Sequence, residues 1–373
     1  MIKAFEEDLI ANIYNYLKSL ENSKNRFHFY PATEGLLKNG KNLKLGYSCL
    51  ALKSFYITGL WDKLTNDEKE SWVEYINSFQ KNNKDFPDNS FIDSNYLSGF
   101  EDLNFKRLSK KTIKNVLNLT SLSSFDNDSK IKTDGIRAET KQAISTLFEV
   151  DSKNNLKYLD FPFENNEVDN FLTDLNWNKP WSAGAQFSAL CVFSKTQLNE
   201  NQFLFASKQL GSFADSIVNK DNGAYFKGSK PERNELINGC MKVLTGLDWI
   251  EKSINYPEKL IDLCLESKPS QEGCDIVDII YVLYRCQKET DYKKEEVRGF
   301  LYNLIPLIEK HYFYGLGGFS YYLNKSQVNY YGLKVTKGKN IPDIHGTTLL
   351  LWALSMIYET TQSETISWKV IKP

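Results

Sequence analysis

The chain has 373 residues, of which 41% are hydrophobic and 25% are charged. This is ordinary globular usage, and it excludes a disordered or collagen-like protein. The 46 basic and 47 acidic residues leave a net charge of −1. Proteins that bind nucleic acid are normally strongly basic, so no nucleic-acid partner is expected. Aromatic residues make up 14% of the chain, which predicts a large core or an aromatic-lined cavity.

The N-terminus and the cysteines together predict a cytoplasmic protein. Residues 1–8 do not have the basic and then apolar pattern of a secretory signal. No window approaches the roughly 18 uninterrupted apolar residues of a membrane span, so no integral membrane segment is expected. The six cysteines form no Cys-x-x-Cys pair and most lie in apolar helical patterns. We interpret them as reduced core thiols rather than as a disulfide framework.

Helical periodicity dominates the chain. Residues 5–20 carry apolar side chains at a 3.6-residue period, and Thr65 followed by Glu68 predicts a capping box at the start of an amphipathic helix. Six other segments open with small or polar residues and continue into apolar runs, so each is predicted to be a buried helix. These segments begin near Gly46, Arg137, Ala183, Asn238, Cys274 and Ile344.

Amphipathic stretches separate these buried segments, for example residues 203–217, 256–265 and 293–308. A ring of helical hairpins needs this alternation, because its inner helices are surrounded by protein and its outer helices face water. We predict an all-α fold: a closed α/α toroid or (α/α)6-like barrel of about six helical hairpins, with short β-like loop excursions, in one domain over residues 1–373. An open helical solenoid is the alternative, but no end segment resembles a polar cap.

Two stretches of the sequence resemble a known superfamily. Asp275-Ile276-Val277, leading into an aromatic-containing helix, and Asp343-Ile344-His345-Gly346-Thr347 are similar to motifs of protein prenyltransferase β subunits. The chain therefore resembles the α/α-toroid superfamily, which also includes terpenoid cyclases and is similar to the (α/α)6 barrels of several carbohydrate-active enzymes. Val277 stands in place of the family's zinc-binding Cys, and no Asp-x-Asp-Asp motif of the cyclases occurs. The resemblance implies an architecture rather than a reaction.

In such a ring, polar residues in the first turns of the inner helices should converge on one mouth of the cavity. Asp275 and Asp278 lie three apart on one helical face, which suits general acid and base catalysis or a divalent cation; the alternative is a helix cap and first-turn acid. His345 begins an apolar helix and is a candidate proton carrier. Glu139 is a candidate second carboxylate opposite Asp275, as glycosidic chemistry would use.

The candidate substrate contacts are polar or aromatic residues near the same mouth. Lys242 lies on an otherwise apolar helix, where burial is costly unless the amine has a partner. Two tryptophans close together in one turn could stack on a sugar or instead form a hydrophobic staple. The predicted contacts are Arg137, Gln142, Trp177, Trp181, Gln186, Asn238, Lys242 and Tyr331. No metal site is predicted beyond a possible divalent cation at Asp275 and Asp278, and no other cofactor is expected.

Three functions follow as hypotheses. The first is an enzyme that acts on a glycan or glycan precursor by acid–base chemistry, as a hydrolase, lyase or epimerase, with a small-molecule or oligosaccharide substrate. The second, implied by the resemblance, is an isoprenoid enzyme of the terpene cyclase or prenyltransferase kind. The third is a non-catalytic binding or scaffold toroid. The sequence does not determine the oligomeric state.

Overall fold

The structure is a computed structural model, and it describes residues 8–101, 128–158, 167–270, 273–362 and 368–373. These residues are mostly helical and contain only small sheets, as an all-α fold requires. Among them, no helix combines the length and the apolar character that crossing a membrane demands.

The helices follow one another with short connections. In chain order the α-helices are α1 Leu9–Leu20, α2 Lys38–Asn42, α3 Leu45–Ile57, α4 Asn66–Asn77, α5 Ser94–Glu101, α6 Asp128–Glu149, α7 Glu167–Asp174, α8 Pro180–Gln197, α9 Glu200–Ile217, α10 Arg233–Trp249, α11 Pro257–Leu265, α12 Gly273–Gln287, α13 Lys294–Tyr302, α14 Ile305–Glu309 and α15 Ile344–Thr361. A short 3-10 helix, Trp61–Lys63, precedes α4.

The strands pair only with their neighbours in sequence, as three antiparallel hairpins. They are β1 Gln80–Asn83 with β2 Phe86–Phe91, β3 Tyr312–Phe313 with β4 Gly318–Phe319, and β5 Asn329–Tyr330 with β6 Leu333–Lys334. The last two hairpins stand between α14 and α15. They bring Tyr321 and Tyr331 towards the inner helices.

Six helices form the inner layer: α3, α6, α8, α10, α12 and α15. Each contacts the next in this order, and α15 contacts α3. Helix α3 is buried nearly all round, as its continuous apolar sequence predicts. Between α3 and α15 the Ser54 Oγ and Thr348 Oγ1 atoms lie 2.9 Å apart, and Thr348 also donates to the Leu50 carbonyl at 3.1 Å.

Amphipathic helices pack outside this layer. Helix α9 contacts α8, α11 contacts α12, and α13 contacts α15. The capping box predicted for α4 is confirmed, since the Glu68 amide donates to Thr65 Oγ1 and the Glu68 carboxylate accepts from the Thr65 amide. The stretch predicted as one helix over 293–308 is instead two helices. Pro306 lacks an amide hydrogen and is accommodated in the first turn of α14.

One predicted helix start is wrong by more than two turns. Helix α6 begins at Asp128, nine residues before Arg137, so Arg137, Glu139 and Gln142 lie in its middle rather than in its first turn. Lys242 is similarly in the third turn of α10. Partial positive charge at a helix N-terminus falls off within one turn, so it does not act at these side chains. The stretch 118–132, rich in Ser, Asn and Asp, predicts a surface loop; residues 128–132 instead belong to α6, and residues 102–127 lie outside the described residues.

A short segment, residues 368–373, crosses the C-terminal ends of three inner helices. The Lys369 amide donates to the Ile57 carbonyl at 2.9 Å, and Trp249 Nε1 donates to the Pro373 carbonyl at 3.0 Å. The Lys372 amide donates to the Glu149 carboxylate. These bonds hold the segment across one end of the inner layer, where it forms the floor of the cavity described next.

Candidate functional site

A cavity of about 490 Å³ lies between the six inner helices, and each of them contributes residues to its lining. Tyr321 and Tyr331 reach it from the loops before α15, and Ile371 and Pro373 form its floor. Four basic residues and two acids line it. This mixture of charged, aromatic and aliphatic side chains is typical of a site that orients a small molecule.

A larger groove of about 710 Å³ lies on the surface between α1 and α4. Its charged residues, Asp8, Lys63 and Glu68, lie at the surface beside apolar residues such as Tyr14 and Leu60. Glu68 is occupied by Arg26 and by the capping box of α4. Since the inner cavity gathers buried titratable groups from several helices, we take it, and not this groove, as the candidate site.

Most of the predicted site residues meet in the inner cavity. Those that line it are Arg137, Gln142, Trp181, Gln186, Lys242, Asp278, Tyr331 and His345. Four predicted residues do not line it: Glu139, Trp177, Asn238 and Asp275. The convergence comes from the facing sides of the inner helices, at different depths, rather than from their first turns alone.

Asp278 is the acid deepest in this site, being only 3% exposed. Its Oδ2 atom is buried and has no hydrogen-bond partner. Burial raises the pKa of this carboxyl to about 7, although the positive charge of Lys242 acts in the opposite direction. A carboxyl with such a pKa can both donate and accept a proton near neutral pH, as acid–base catalysis requires.

His345 lies against the ring of Tyr321, with the two ring centroids 5.1 Å apart. Burial, together with repulsion from Lys242, lowers the pKa of His345 to about 4. The imidazole is therefore neutral at pH 7 and can accept or donate a hydrogen bond without carrying charge. The Tyr321 hydroxyl in turn lies 2.6 Å from Cys274 Sγ, which fixes the ring that holds His345.

Asp275 has a local role at the start of α12. Its carboxylate accepts hydrogen bonds from Asn238 Nδ2 at 2.9 Å and from the Ser270 hydroxyl, so these groups tie α12 to α10 outside the cavity lining. The predicted pair of carboxylates, Asp275 opposite Glu139, is thus not opposed across this cavity. Among the described residues, no group of three or more His, Cys, Asp or Glu side chains comes together as a metal site would need.

Glu139 is buried on the opposite side of α6 from the cavity. It is 1% exposed, its Oε1 accepts from the Tyr330 hydroxyl at 3.1 Å, and its Oε2 has no partner. Burial, and to a lesser degree the negative charge of Asp93, raise the pKa of this carboxyl well above its usual range. Burial therefore favours the protonated form of this acid, which acts as a hydrogen-bonding group of the core.

Replacing Glu139 by glutamine tests this assignment. The raised pKa means that the wild type gains stability from protonated Glu139 only at low pH, and loses it as pH rises above the unfolded value near 4.3. The variant's free energy of unfolding should equal that of the wild type within about 1 kcal/mol at pH 5. Above pH 5, the variant's free energy of unfolding should exceed that of the wild type by up to about 1.4 kcal/mol per pH unit. Urea unfolding at several pH values would measure this difference. Parallel curves would contradict the assignment.

The two predicted tryptophans separate in the structure. Trp177 is 2% exposed, its Nε1 donates to the Leu172 carbonyl at 2.8 Å, and its ring packs on Phe213, as in the hydrophobic interpretation of this turn. Trp181 is 43% exposed at the rim of the cavity. Its ring is therefore accessible to a ligand that enters.

Amide and guanidinium groups connect the walls of the cavity. Arg137 donates to Gln186 Oε1 at 3.1 Å, which links α6 to α8. Gln142 donates to the Gly46 carbonyl at 3.1 Å, which links α6 to α3. These side chains border the space that a ligand would fill and also hold neighbouring helices together.

Two basic residues of the lining, Lys53 and Lys141, were not predicted. Lys53 interrupts an apolar run, which is the same signal that marks Lys242, whereas Lys141 lies beside the polar residues Thr140 and Gln142 and no such signal marks it. Tyr321 and Trp352 also line the cavity and were missed. No local sequence pattern distinguishes them from other core aromatics.

The chain matches no protein-family model, no curated protein and no solved structure. The function must therefore be argued from the geometry of the site.

Proposed function

We propose that the six inner helices form a closed α/α toroid around the cavity. The support is the cyclic order of their contacts, in which α15 returns to pack on α3. The superfamily resemblance of Asp275–Val277 and of Asp343–Thr347 is consistent with this proposal. An open solenoid would leave α3 and α15 without this mutual contact.

Within this ring, the chain is an enzyme that acts on a glycan or glycan precursor by acid–base chemistry. The observation that carries the proposal is Asp278, a buried carboxyl that faces the cavity with an unpaired oxygen and a pKa of about 7. In the proton-transfer step, Asp278 gives its proton to, or takes one from, an oxygen or carbon of the sugar. Lys242 favours the ionised form, and neutral His345 orients the reacting group.

The aromatic residues of the lining supply stacking surfaces for a sugar ring. Trp181 and Tyr331 are both more than 40% exposed at the rim, and Tyr321 and Trp352 lie deeper. Apolar ring faces next to charged and amide groups suit a saccharide, whose CH faces and hydroxyls alternate.

An isoprenoid enzyme is the second candidate. The observation that favours it is the aliphatic part of the lining, which includes Leu50, Met241 and Leu349. Phenylalanine does not contribute to the described lining, and several charged groups of the cavity would contact a hydrocarbon chain. The glycan enzyme therefore agrees with more of the lining.

Ligand-induced stabilisation tests the proposal. Thermal unfolding is measured with sugar nucleotides, acidic oligosaccharides and prenyl diphosphates, because a ligand that binds only the folded state raises the melting temperature. We expect a shift with a glycan, and chemical conversion of that glycan by the protein. Trp181→Ala should weaken binding by about tenfold or more, with little effect on the ligand-free protein because the ring is partly exposed.

Phe205→Ala is the matched control, since Phe205 is an exposed aromatic on the outer helix α9. It should leave the shift unchanged. A shift with prenyl diphosphates alone would transfer the proposal to the isoprenoid class. A glycan that binds equally well to the Trp181 variant would place the binding site elsewhere.

A further inference from the structure

Three lysines from three inner helices line the cavity: Lys53 of α3, Lys141 of α6 and Lys242 of α10. Lys53 donates to the Ser145 hydroxyl at 3.2 Å and Lys141 to the Ser188 hydroxyl at 2.8 Å. Both bonds go to neutral acceptors. In the part of the chain that the structure describes, no ion pair involves any of the three amines.

The amine of Lys141 is also close enough to those of Lys53 and Lys242 to be repelled by both. Burial lowers the pKa of Lys141 well below its usual range, and the charges of Lys242 and Lys53 lower it further. The nearby acids interact with other basic residues: Asp278 with Lys242, and Glu149 with Lys53. Asp134 lies 4.0 Å from Arg137. These acids therefore do not offset the positive charge at Lys141. Like charges that are at least half-buried and have no acidic partner are costly, and proteins retain them mainly at functional sites.

We propose that the cavity binds an anionic group of its ligand, a phosphate or a carboxylate, between Lys53, Lys141 and Lys242. The inference rests on the proposed function, because it specifies the substrate of that same site as an acidic or phosphorylated sugar. Charge-assisted hydrogen bonds from the lysines to the anion would replace the repulsion between them.

Lys242 determines where such an anion would lie relative to the chemistry. It acts electrostatically on Lys141 on one side and on Asp278 and His345 on the other. An anion held by the three lysines would therefore place the adjoining part of the sugar beside the Asp278 carboxyl. The same amine would connect substrate binding to the acid–base group.

Calorimetric titration of the full chain at pH 7 and constant ionic strength tests the inference with three probes. Sodium pyrophosphate and sodium glucuronate are the two anion sources, and glucose is the neutral control. We expect one or both anions to bind and glucose to bind at least about tenfold more weakly, as loss of charge-assisted hydrogen bonds implies. Binding of pyrophosphate alone would identify a phosphorylated ligand, and binding of glucuronate alone a carboxylated one.

Lys141→Met should weaken anion binding at least about tenfold, while Lys208→Met, on the exposed face of α9, should not change it. The ligand-free Lys141→Met protein should also melt at a higher temperature than the wild type, because a buried like charge has been removed. A lysine retained only for structure would give the opposite shift. If this variant fails to fold, Lys242→Met replaces it in the binding measurement.

The inference is overturned if neither anion binds, if glucose binds as tightly as the anion that binds best, or if the lysine variants bind that anion like the wild type. These results are separable from failure of the proposed function. Anion binding without conversion of any sugar would retain the inference and remove the acid–base enzyme. Conversion of a neutral glycan without anion binding would retain the acid–base enzyme and remove the inference.

Discussion

Replacing Asp278 by asparagine should stabilise the protein at pH 8 and slow its catalytic turnover by several orders of magnitude. Burial raises the pKa of the carboxyl from 3.8 to about 7, so folding favours the protonated form. The wild type therefore loses stability from this group as pH rises from about 4 to 7, by on the order of 3 kcal/mol. Asparagine cannot ionise, and its variant should be the more stable one above pH 7.

The same substitution removes the proton that Asp278 would transfer. Loss of a general acid or base typically slows the reaction by about 10²–10⁴-fold. Urea unfolding between pH 4 and pH 8 measures the stability gain, and turnover of the glycan found by thermal shift measures the catalytic loss. Asp169→Asn, an exposed carboxyl-to-amide change on α7, is the control. A variant that unfolds in parallel with the wild type across this range would show that Asp278 is not held in a raised-pKa environment.

Replacing Asp343 by alanine should cause the largest loss of stability, about 4 kcal/mol. Asp343 is fully buried and caps α15: its Oδ1 accepts from the Gly346 amide at 2.8 Å. Its Oδ2 accepts from the amides of Tyr321 at 2.7 Å and Gln327 at 3.0 Å. Alanine would leave three buried donors without acceptors, each costing about 1–3 kcal/mol.

The substitution should also change the structure of the candidate site. The hydrogen bond from the Tyr321 amide to Asp343 positions the tyrosine ring that packs on His345. Near-ultraviolet circular dichroism would report the altered tyrosine environment, and chemical denaturation the stability. Thr65→Ala is the matched control: it removes the cap of the outer helix α4, and should cost only about 1 kcal/mol. If the Asp343 variant loses no more free energy of unfolding than this control, then the Asp343 carboxylate does not organise the loop that carries Tyr321 and Gln327.

Much of the helical layer could be predicted from sequence, because long apolar runs such as 45–57 have no other way to be buried. The start of α6 could not. Its first two turns are polar and give no apolar periodicity, so the pattern became visible only near Arg137. Reasoning from first turns consequently treats Arg137 and Glu139 alike, although the structure places Arg137 in the cavity lining and buries Glu139 away from it.

The side chains that line the cavity were only partly predictable. Lys242 stands out because it interrupts an apolar helix, and the same argument applies to Lys53, which follows the apolar run Leu50-Ala51-Leu52. The opposite burial of Glu139 and Arg137, two residues apart on α6, depends on how that helix is rotated against its neighbours. The sequence predicts how a helix is rotated about its axis only when one face of the helix is clearly apolar. Helix α6 has no such clearly apolar face.

The contact between α3 and α15 has a consequence for biosynthesis. Ser54 and Thr348 are separated by 294 residues, so the wall that they form cannot exist until nearly the whole chain has left the ribosome. Until then the side of α3 that α15 covers in the folded protein must be shielded by other contacts or by chaperones. Such distant pairing also slows folding. Cells that make this protein should therefore contain a long-lived, chaperone-bound nascent form, and truncation before α15 should yield insoluble chains rather than a smaller folded unit.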